Sequence, residues 1–358
     1  MKVLFVNTVP LEANGISTFI INSSEGLSGL GVKVTILAPN KVNKKIKNEL
    51  KQNNINLIEI LNRNTKPIKY FIRLKKICLN EQYDVVHVNG NSTTMALELW
   101  AAKAAKVKIR IAHSHNTTTA HPFINRMLRP LFESVVNGRI ACNNAAGKWL
   151  FNNKNYAIIK NGIDLKKYKF DKNIRKKVRN NLNIDDDDLV LGNVGKFNFQ
   201  KNQQFLIKLL SRMDKKIKLI LIGEGKTFEQ IKKLSVTFGV QNRVYFLGTQ
   251  DNVQDYLNAF DLFLLPSNFE GQPFVLVESS ANGLMNVVSD KVSSEANICK
   301  NTEFLNLNDY NIWKNKIQNI RSYNRHNISE KYIDILSNNG YDLNKNVYKL
   351  LEYYKDKK

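Results

Sequence analysis

Short apolar runs alternate along the chain with longer stretches whose apolar positions recur every three or four residues. Runs of the first kind stand at 3–6, 32–37, 85–88, 109–112, 189–192, 217–222, 244–247 and 262–265. Their length and their wealth of Val, Ile and Leu predict strands buried on both faces, the form that parallel sheets take. Parallel neighbours need a crossover of a dozen residues or so, and the amphipathic stretches 17–30, 94–105, 202–212 and 228–238 supply it as helices. The pattern predicts an α/β, doubly wound architecture.

The alternation lapses after Ile159, passes through Asn161-Gly162-Ile163-Asp164 and a charged stretch over 166–177, and restarts at Leu189. A domain boundary is placed there, giving domains over 1–162 and 163–344; 358 residues are ample for two. Val347, Leu350, Leu351 and Tyr354 form a helical stripe that must bury itself, so a helix over about 345–358 is expected to pack back on the first domain. No window approaches the roughly 18 apolar residues of a spanning helix. Met1-Lys2-Val3-Leu4-Phe5-Val6-Asn7 is too short an apolar start for a signal peptide core and reads as a first strand.

Composition adds one strong feature. At 43% apolar and 24% charged the chain is ordinary for a globular protein, but 54 Lys and Arg against 31 Asp and Glu leave a net charge of +23. Residues 1–162 hold 23 bases and 8 acids, a net +15, and 163–358 only +8. Such an excess suits anionic lipid, nucleic acid or a phosphorylated substrate, unless it is a drift in a chain rich in Lys and Asn. Cys78, Cys142 and Cys299 are scattered with no C-x-x-C spacing, which suits a reducing compartment without disulfide or zinc.

The densest chemistry follows the strand at 262–265: Pro266-Ser267-Asn268-Phe269-Glu270-Gly271-Gln272-Pro273-Phe274-Val275-Leu276-Val277-Glu278. Pro273 suits a first helical turn and Gly283 an end, predicting a helix over about 273–282. Its first amides, near Gly271, Gln272, Pro273, Phe274 and Val275, can hold an anion, and Glu270 and Glu278 can accept hydrogen bonds from a polyol; an ion-paired helix acid is the plainer reading. The turn Gly195-Lys196-Phe197-Asn198-Phe199-Gln200-Lys201-Asn202 follows another strand and offers Lys196 and Lys201 to a phosphate, while Gly223 and Gly225 let backbone approach a ligand. Three such turns at successive strand ends favour a phosphate-bearing nucleotide. There is neither a Walker A loop nor a G-x-G-x-x-G after the first strand.

In the first half, Asn14-Gly15-Ile16-Ser17 opens the first long helix and suits anion or sugar contact. Ile111-Ala112-His113-Ser114-His115-Asn116 ends a strand with two histidines on one side, but only His121 is at hand as a third metal ligand, and one histidine bonding a sugar or phosphate is the better reading. The four acids at 185–188 read as a solvated turn rather than a metal site.

Glu270 through Glu278, with Pro266-Ser267 before it, resembles the E-x7-E signature of retaining family-4 glycosyltransferases. Asn161-Gly162-Ile163-Asp164, the turn 195–202, Gly223-Glu224-Gly225, Phe246-Leu247-Gly248 and Ser289-Asp290 follow in that family's order, so the resemblance covers nearly the whole chain. It implies the GT-B fold: two Rossmann-like domains facing across a cleft, nucleotide-sugar on the second and acceptor on the first. The segment 111–116 is similar to the branch that builds bacterial capsular or exopolysaccharides. By the same resemblance Glu278 accepts the ribose hydroxyls and Glu270 contacts the donor sugar. Gly15, Gly195, Gly223, Gly225 and the segment Gly271 to Val275 belong with donor binding, and Lys201 neutralises the leaving diphosphate. Lys196 stands where the family has Arg, and Asn14 where it has the first of two glycines. His115 matches the histidine near the transferred sugar, leaving Asn14, Ser17, His113 and Asn116 to the acceptor.

The implied activity is retaining, metal-independent transfer of a hexose-type sugar from a nucleoside-diphosphate sugar, UDP-linked by expectation, to a lipid-linked or oligosaccharide acceptor, with no cofactor. Front-face transfer, in which the leaving phosphate takes the acceptor proton, is inherited with it. Cytoplasmic work on the inner membrane face is expected, through Lys69, Arg73, Lys75 and Lys76 beside Tyr70 and Phe71, with Arg126 and Arg129. The competing readings are a GT-B nucleotide-sugar epimerase, a fold kept for binding alone, and a basic nucleic-acid binder; for the last no recognition motif is present.

Overall fold

Every apolar run named above becomes a strand, and each strand pairs in parallel with its neighbours in the computed structural model, which describes residues 1–12, 14–119, 122–270, 273–319 and 324–357. Gly271, Gln272 and His121 therefore lie outside the described residues. The chain divides into two units, Met1–Ile163 with Gly340–Lys358, and Asp164–Asn339.

The first unit runs β1 (Lys2–Asn7), α1 (Gly15–Gly29), β2 (Lys33–Ala38), α2 (Lys44–Gln52), β3 (Asn56–Glu59), α3 (Pro67–Glu81), β4 (Val85–Gly90), α4 (Ala96–Ala104), β5 (Ile109–Ser114), α5 (Pro122–Met127), α6 (Arg129–Val135), β6 (Gly138–Ala141), α7 (Asn144–Phe151) and β7 (Ala157–Ile158). The second runs α8 (Lys172–Asn181), β8 (Leu189–Val194), α9 (Gln203–Leu210), β9 (Ile217–Ile222), α10 (Phe228–Thr237), β10 (Val244–Phe246), α11 (Val253–Ala259), β11 (Leu262–Leu265), α12 (Phe274–Ala281), β12 (Met285–Ser289), β13 (Thr302–Leu305), α13 (Tyr310–Gln318) and α14 (Arg325–Asn338); α15 (Leu343–Asp356) returns to the first.

The sheets are ordered β3-β2-β1-β4-β5-β6-β7 and β10-β9-β8-β11-β12-β13. Each starts in its middle, grows to one edge, then reverses: the doubly wound order, whose switch points fall between β1 and β4 and between β8 and β11. Loops at the carboxyl ends of those strands are where such a sheet offers a crevice. The fold is GT-B in type, two Rossmann-like units of parallel sheet covered by helices.

Each sheet buries both faces. In the first unit one face packs under α3, α4, α6 and α7, with Tyr70, Leu99, Phe132 and Phe151 as anchors. The other packs under α1, α2 and α15, where Phe19, Leu50, Val347, Leu350 and Tyr354 close the core. The stripe on α15 is thus buried on the first sheet, with Leu351 at its margin, and the return helix opens at Leu343, Asp342 accepting from the Asn344 and Lys345 amides.

The first face carries an unusual outer surface. Ile68, Ile72 and Leu79 of α3, Trp100 of α4, and Phe123, Ile124 and Met127 of α5 are exposed, Ile68 and Phe123 by more than 70%. The Trp100 ring lies tilted against Phe71 with centroids 4.7 Å apart, and α5 is strapped to the turn before α4 by Thr93 bonding Asn125 twice, at 2.8 and 2.6 Å. Two of the expected surface residues belong elsewhere. Tyr70 is 1% exposed, its hydroxyl buried close to the Glu98 carboxylate that Arg63 holds at 2.6 Å, and the Arg129 guanidinium is tied to the Leu150 carbonyl. The cysteines are free thiols, Cys142 only half-buried. No described helix is long and apolar enough to cross a membrane.

Candidate functional site

The second unit's turns are laced together by backbone bonds. The Gly195 amide donates to the Ile222 carbonyl, Phe197 to Glu224, and Gly223 to Gly248 at 2.7 Å. Gly223 and Gly225 have φ of +128° and +157°, and a Cβ on either would run into the carbonyl of Gly195 or Phe197. These glycines are needed so that turn can lie on turn, a different reason from the ligand approach that the sequence suggested.

The turn after β8 is likewise stapled to the loop after β11. Asn202, at φ 52°, donates to the Pro266 carbonyl at 3.0 Å; Asn268 donates its amide to Gln200 and its side chain to Phe199. The staple brings Lys201 Nζ to 2.6 Å from Glu270 Oε1, with both side chains largely buried. Glu270 is fixed further by its backbone, which exchanges bonds with Lys291 and Ser293, and by Ser267 Oγ at 3.4 Å. Lys201 therefore meets a carboxylate in this structure, whereas Lys196 is exposed and has no ion pair among the described residues.

The helix after this loop begins at Phe274, one residue inside the predicted start, with buried Pro273 before it and Val275 packed in the core. At its other end Asn282 and Gly283, φ +77°, stop it, and the Arg325 guanidinium caps the Asn282 carbonyl at 3.0 Å. Glu278 lies on the second turn of α12. Burial pushes its carboxyl up to about 7, against the opposing pull of the Tyr168 hydroxyl, which hydrogen-bonds it, and of the Lys201 charge. Glu270, Glu278 and Lys201 are thus one electrostatic cluster beside the β8–β11 switch point. Tyr168, from the short turn Leu165–Tyr168, is its unforeseen member; only its place soon after Asn161-Gly162-Ile163-Asp164 could have singled it out.

In the first unit Asn14 caps α1, accepting from the Ser17 amide at 3.0 Å, and Gly15 is the exposed first residue of that helix. Ser17 is 1% exposed and its hydroxyl is spent on Asn7, Pro10 and Glu12, so it shapes the turn rather than facing a ligand. His113 is completely buried and reaches no surface; Asn116 is exposed, its side chain taken by the Thr117 amide. His115 is half-buried at the end of β5, its Nε2 2.9 Å from Asn89 Oδ1, and desolvation pushes it down to about 3, so the ring is neutral. His87, which the sequence did not single out, and Tyr354, read there only as a packing residue of the last helix, complete this cluster: Nδ1 and hydroxyl are 2.6 Å apart. The acids at 185–188 form a turn in which Asp187 pairs with Lys216 at 2.6 Å and the Asp185 and Asp186 carbonyls accept from Arg179.

Two family models match, Glycosyltransferase Family 4 over residues 13–167 and Glycosyl transferases group 1 over residues 174–347. The chain is 24% identical over 315 residues to the UDP-Gal:alpha-D-GlcNAc-diphosphoundecaprenol alpha-1,3-galactosyltransferase of Escherichia coli, covering 81% of this chain and 80% of that one. It is 26% identical over 299 residues to the capsular polysaccharide biosynthesis glycosyltransferase CapH of Staphylococcus aureus, covering 81% of each. Among solved structures, Anabaena Alr3699/HepE in complex with UDP superposes with a TM-score of 0.79 at 18% identity, over 99% of this chain and 100% of that one.

Proposed function

The chain belongs to the glycosyltransferases, with family-4 and group-1 domains in the GT-B fold, and we propose that it moves a hexose-type sugar, with retention, from a UDP-sugar to a lipid-linked glycan in surface-polysaccharide assembly. The observation that carries this reading is the cluster of Glu270, Glu278 and Lys201 at the switch point of the second sheet. UDP is chosen because HepE was solved with it, and the lipid-linked acceptor because the name of the E. coli relative prints one.

In this mechanism Glu278 accepts the ribose hydroxyls. Lys201 and Lys196, with the first amides of α12, meet the charge that grows on the diphosphate as the sugar becomes oxocarbenium-like. A diphosphate draws Lys201 away from Glu270, which frees that carboxylate for the sugar's hydroxyls. The departing phosphate oxygen takes the acceptor's proton as the new bond forms on the same face, so lysines and amides supply the charge stabilisation and no metal is called on. In the first unit neutral His115 is the group assigned to the sugar.

The acceptor is taken at the inner, anionic face of the cell membrane. The support is the exposed stripe Ile68, Ile72 and Leu79 beside Lys69, Arg73 and Lys76 on α3, with Trp100 and the Phe123, Ile124, Arg126, Met127 group near by in the fold. None of these four bases is in an ion pair among the described residues, so their charge is available to acidic headgroups.

Purified protein incubated with UDP-sugars, with and without a polyprenyl-diphosphate-linked acceptor, tests the reading. Transfer is expected only with acceptor, with the donor's anomeric configuration kept in the product by NMR. Interconversion of the donor sugar without acceptor would make the chain an epimerase, and an inverted product would end the retaining claim.

A further inference from the structure

The histidines of the first unit are wired to the far end of the chain. Asn89 lies beside His113 and His87 beside Ile111 in the β4–β5 ladder, so His87, Asn89, His113 and His115 rise from one face of the sheet. Tyr354, in the last turn of α15, is 2.6 Å from His87 Nδ1, and His87 Nε2 is 3.2 Å from His113 Nδ1. The His113 ring stacks on His115 with centroids 4.1 Å apart and planes at 26°, and Phe19 lies 4.6 Å from the first ring and 5.1 Å from the second. His87, His113 and Tyr354 are completely buried.

The protons along this chain follow from what each atom can satisfy. Burial holds the rings neutral, so of the facing nitrogens of His87 and His113 one donates and one accepts. Were His113 the donor, His87 would donate in turn to Tyr354, stranding the tyrosine O–H and a His113 lone pair in the core. In the opposite sense Tyr354 donates to His87, His87 donates to His113, and the last N–H of His113 turns to the Ile159 carbonyl, in a contact looser than a full hydrogen bond. That sense leaves a single donor, His113 Nε2–H, short of a full hydrogen bond, where the opposite sense strands both a hydroxyl and a lone pair, and it is the one assigned. At His115, Nε2 donates to Asn89 Oδ1, because the Asn89 amide nitrogen is committed to the His87 carbonyl at 3.3 Å. Nδ1 remains as a bare lone pair, buried and without a partner.

We propose that Tyr354 is a positioning residue for His115: its hydroxyl fixes the tautomers and tilt of His87 and His113, and the stacked His113 ring holds His115 as a neutral acceptor whose Nδ1 receives a sugar hydroxyl. The proposal rests on the reading of His115 as a sugar contact. Charged groups on the surrounding elements are committed elsewhere: Glu25 of α1 to Asn53, Lys349 of α15 to the Ile158 carbonyl, Glu352 to Lys355 and Arg139 of β6 to Glu133. The stack therefore feels chiefly its own burial and its own rings.

Tyr354→Phe is the test, since it keeps the ring that meets His87 edge-on at 5.9 Å and removes only the hydroxyl. The chain has five histidines, few enough for their ring nitrogens to be followed by 15N NMR. The ring nitrogens of His87, His113 and His115 are expected to shift. With them kcat falls roughly threefold to tenfold, the size of one neutral hydrogen bond, while KM for the donor holds. The acid limb of kcat moves to higher pH, because His87 Nδ1 has lost the donor that favours its lone pair. Unmoved His115 nitrogens overturn the proposal, whether kcat is unchanged or falls in step with melting temperature. Full activity in His115→Ala overturns instead the reading beneath it, and the ring shifts tell the two failures apart.

Discussion

Glu278→Gln separates the cost of burying a carboxylate from the use made of it. The native carboxyl titrates at about 7 against an ordinary 4.5, with desolvation as the main cause, so the folded chain holds that proton more tightly than the unfolded one. The stability this group contributes is then intact below 4.5 and is lost as pH rises to about 7. At about 1.4 kcal/mol per pH unit, the gap gives a ceiling of about 3 kcal/mol. The amide of Gln keeps an oxygen for the Tyr168 hydroxyl and carries no charge. Variant and wild type should therefore melt together near pH 4.5, and by pH 8 the variant should be the more stable by up to about 3 kcal/mol, roughly 6–12 °C for a unit of this size. Nucleotide binding should run the other way. Wild-type affinity for UDP rises as pH climbs through about 7, whereas the variant is flat and, at pH 8, roughly tenfold weaker or more, the size of a lost charged hydrogen bond. Melting curves and UDP titrations from pH 4.5 to 8 read both. Parallel pH–stability curves would refute the buried carboxylate, and equal UDP affinities would remove Glu278 from the nucleotide site.

Glu270→Ala leaves Lys201 without its carboxylate; kcat is expected to fall by more than UDP affinity does, measured by steady-state kinetics beside calorimetry, and a loss confined to UDP affinity would reverse the assignments of the two glutamates. Activity should persist in excess EDTA, whereas abolition with rescue by a divalent ion would overturn metal-independent transfer. Ile68→Glu with Ile72→Glu should weaken sedimentation with anionic vesicles and leave turnover of a soluble acceptor unchanged; wild-type binding indifferent to lipid charge would sink the membrane claim.

Much of the fold was legible because parallel strands buried on both faces are rich in apolar residues: β11 is apolar throughout, β1 from Val3 to Val6, and β9 except for half-buried Lys218. The strands that escaped notice break that rule locally. In β12, Met-Asn-Val-Val-Ser, Asn286 is completely buried, its amide bonded to Ser279, Ser280 and Thr302, so a polar residue interrupts the run where the core is polar too. In β6, Gly138 and Arg139 do the same; a Cβ on Gly138 would meet Ile111, and Arg139 donates its amide to the Tyr353 hydroxyl, which donates in turn to the Arg139 carbonyl. The carboxylate pair was legible from spacing within one loop and helix, while Tyr168, more than a hundred residues upstream of Glu278, meets it only through folding.

The histidines mark where such reading stops. Alternation correctly places His113 and His115 on one side of a strand, and from there a sugar or phosphate contact is the better reading and a metal pair the lesser one. What separates the two lies on other elements: His87 joins through the register of the neighbouring strand, and Tyr354 arrives 267 residues after His87 on the return helix. Hydrogen bonds to Tyr354 and between the rings occupy both nitrogens of His87 and Nδ1 of His113, His113 Nε2 is buried near the Ile159 carbonyl, and in the assigned tautomers the partnerless Nδ1 of His115 is the lone pair of the stack left without a contact. Sequence periodicity carries side-chain direction but not tautomer, and here the tautomers decide which of three buried rings has a lone pair left to use.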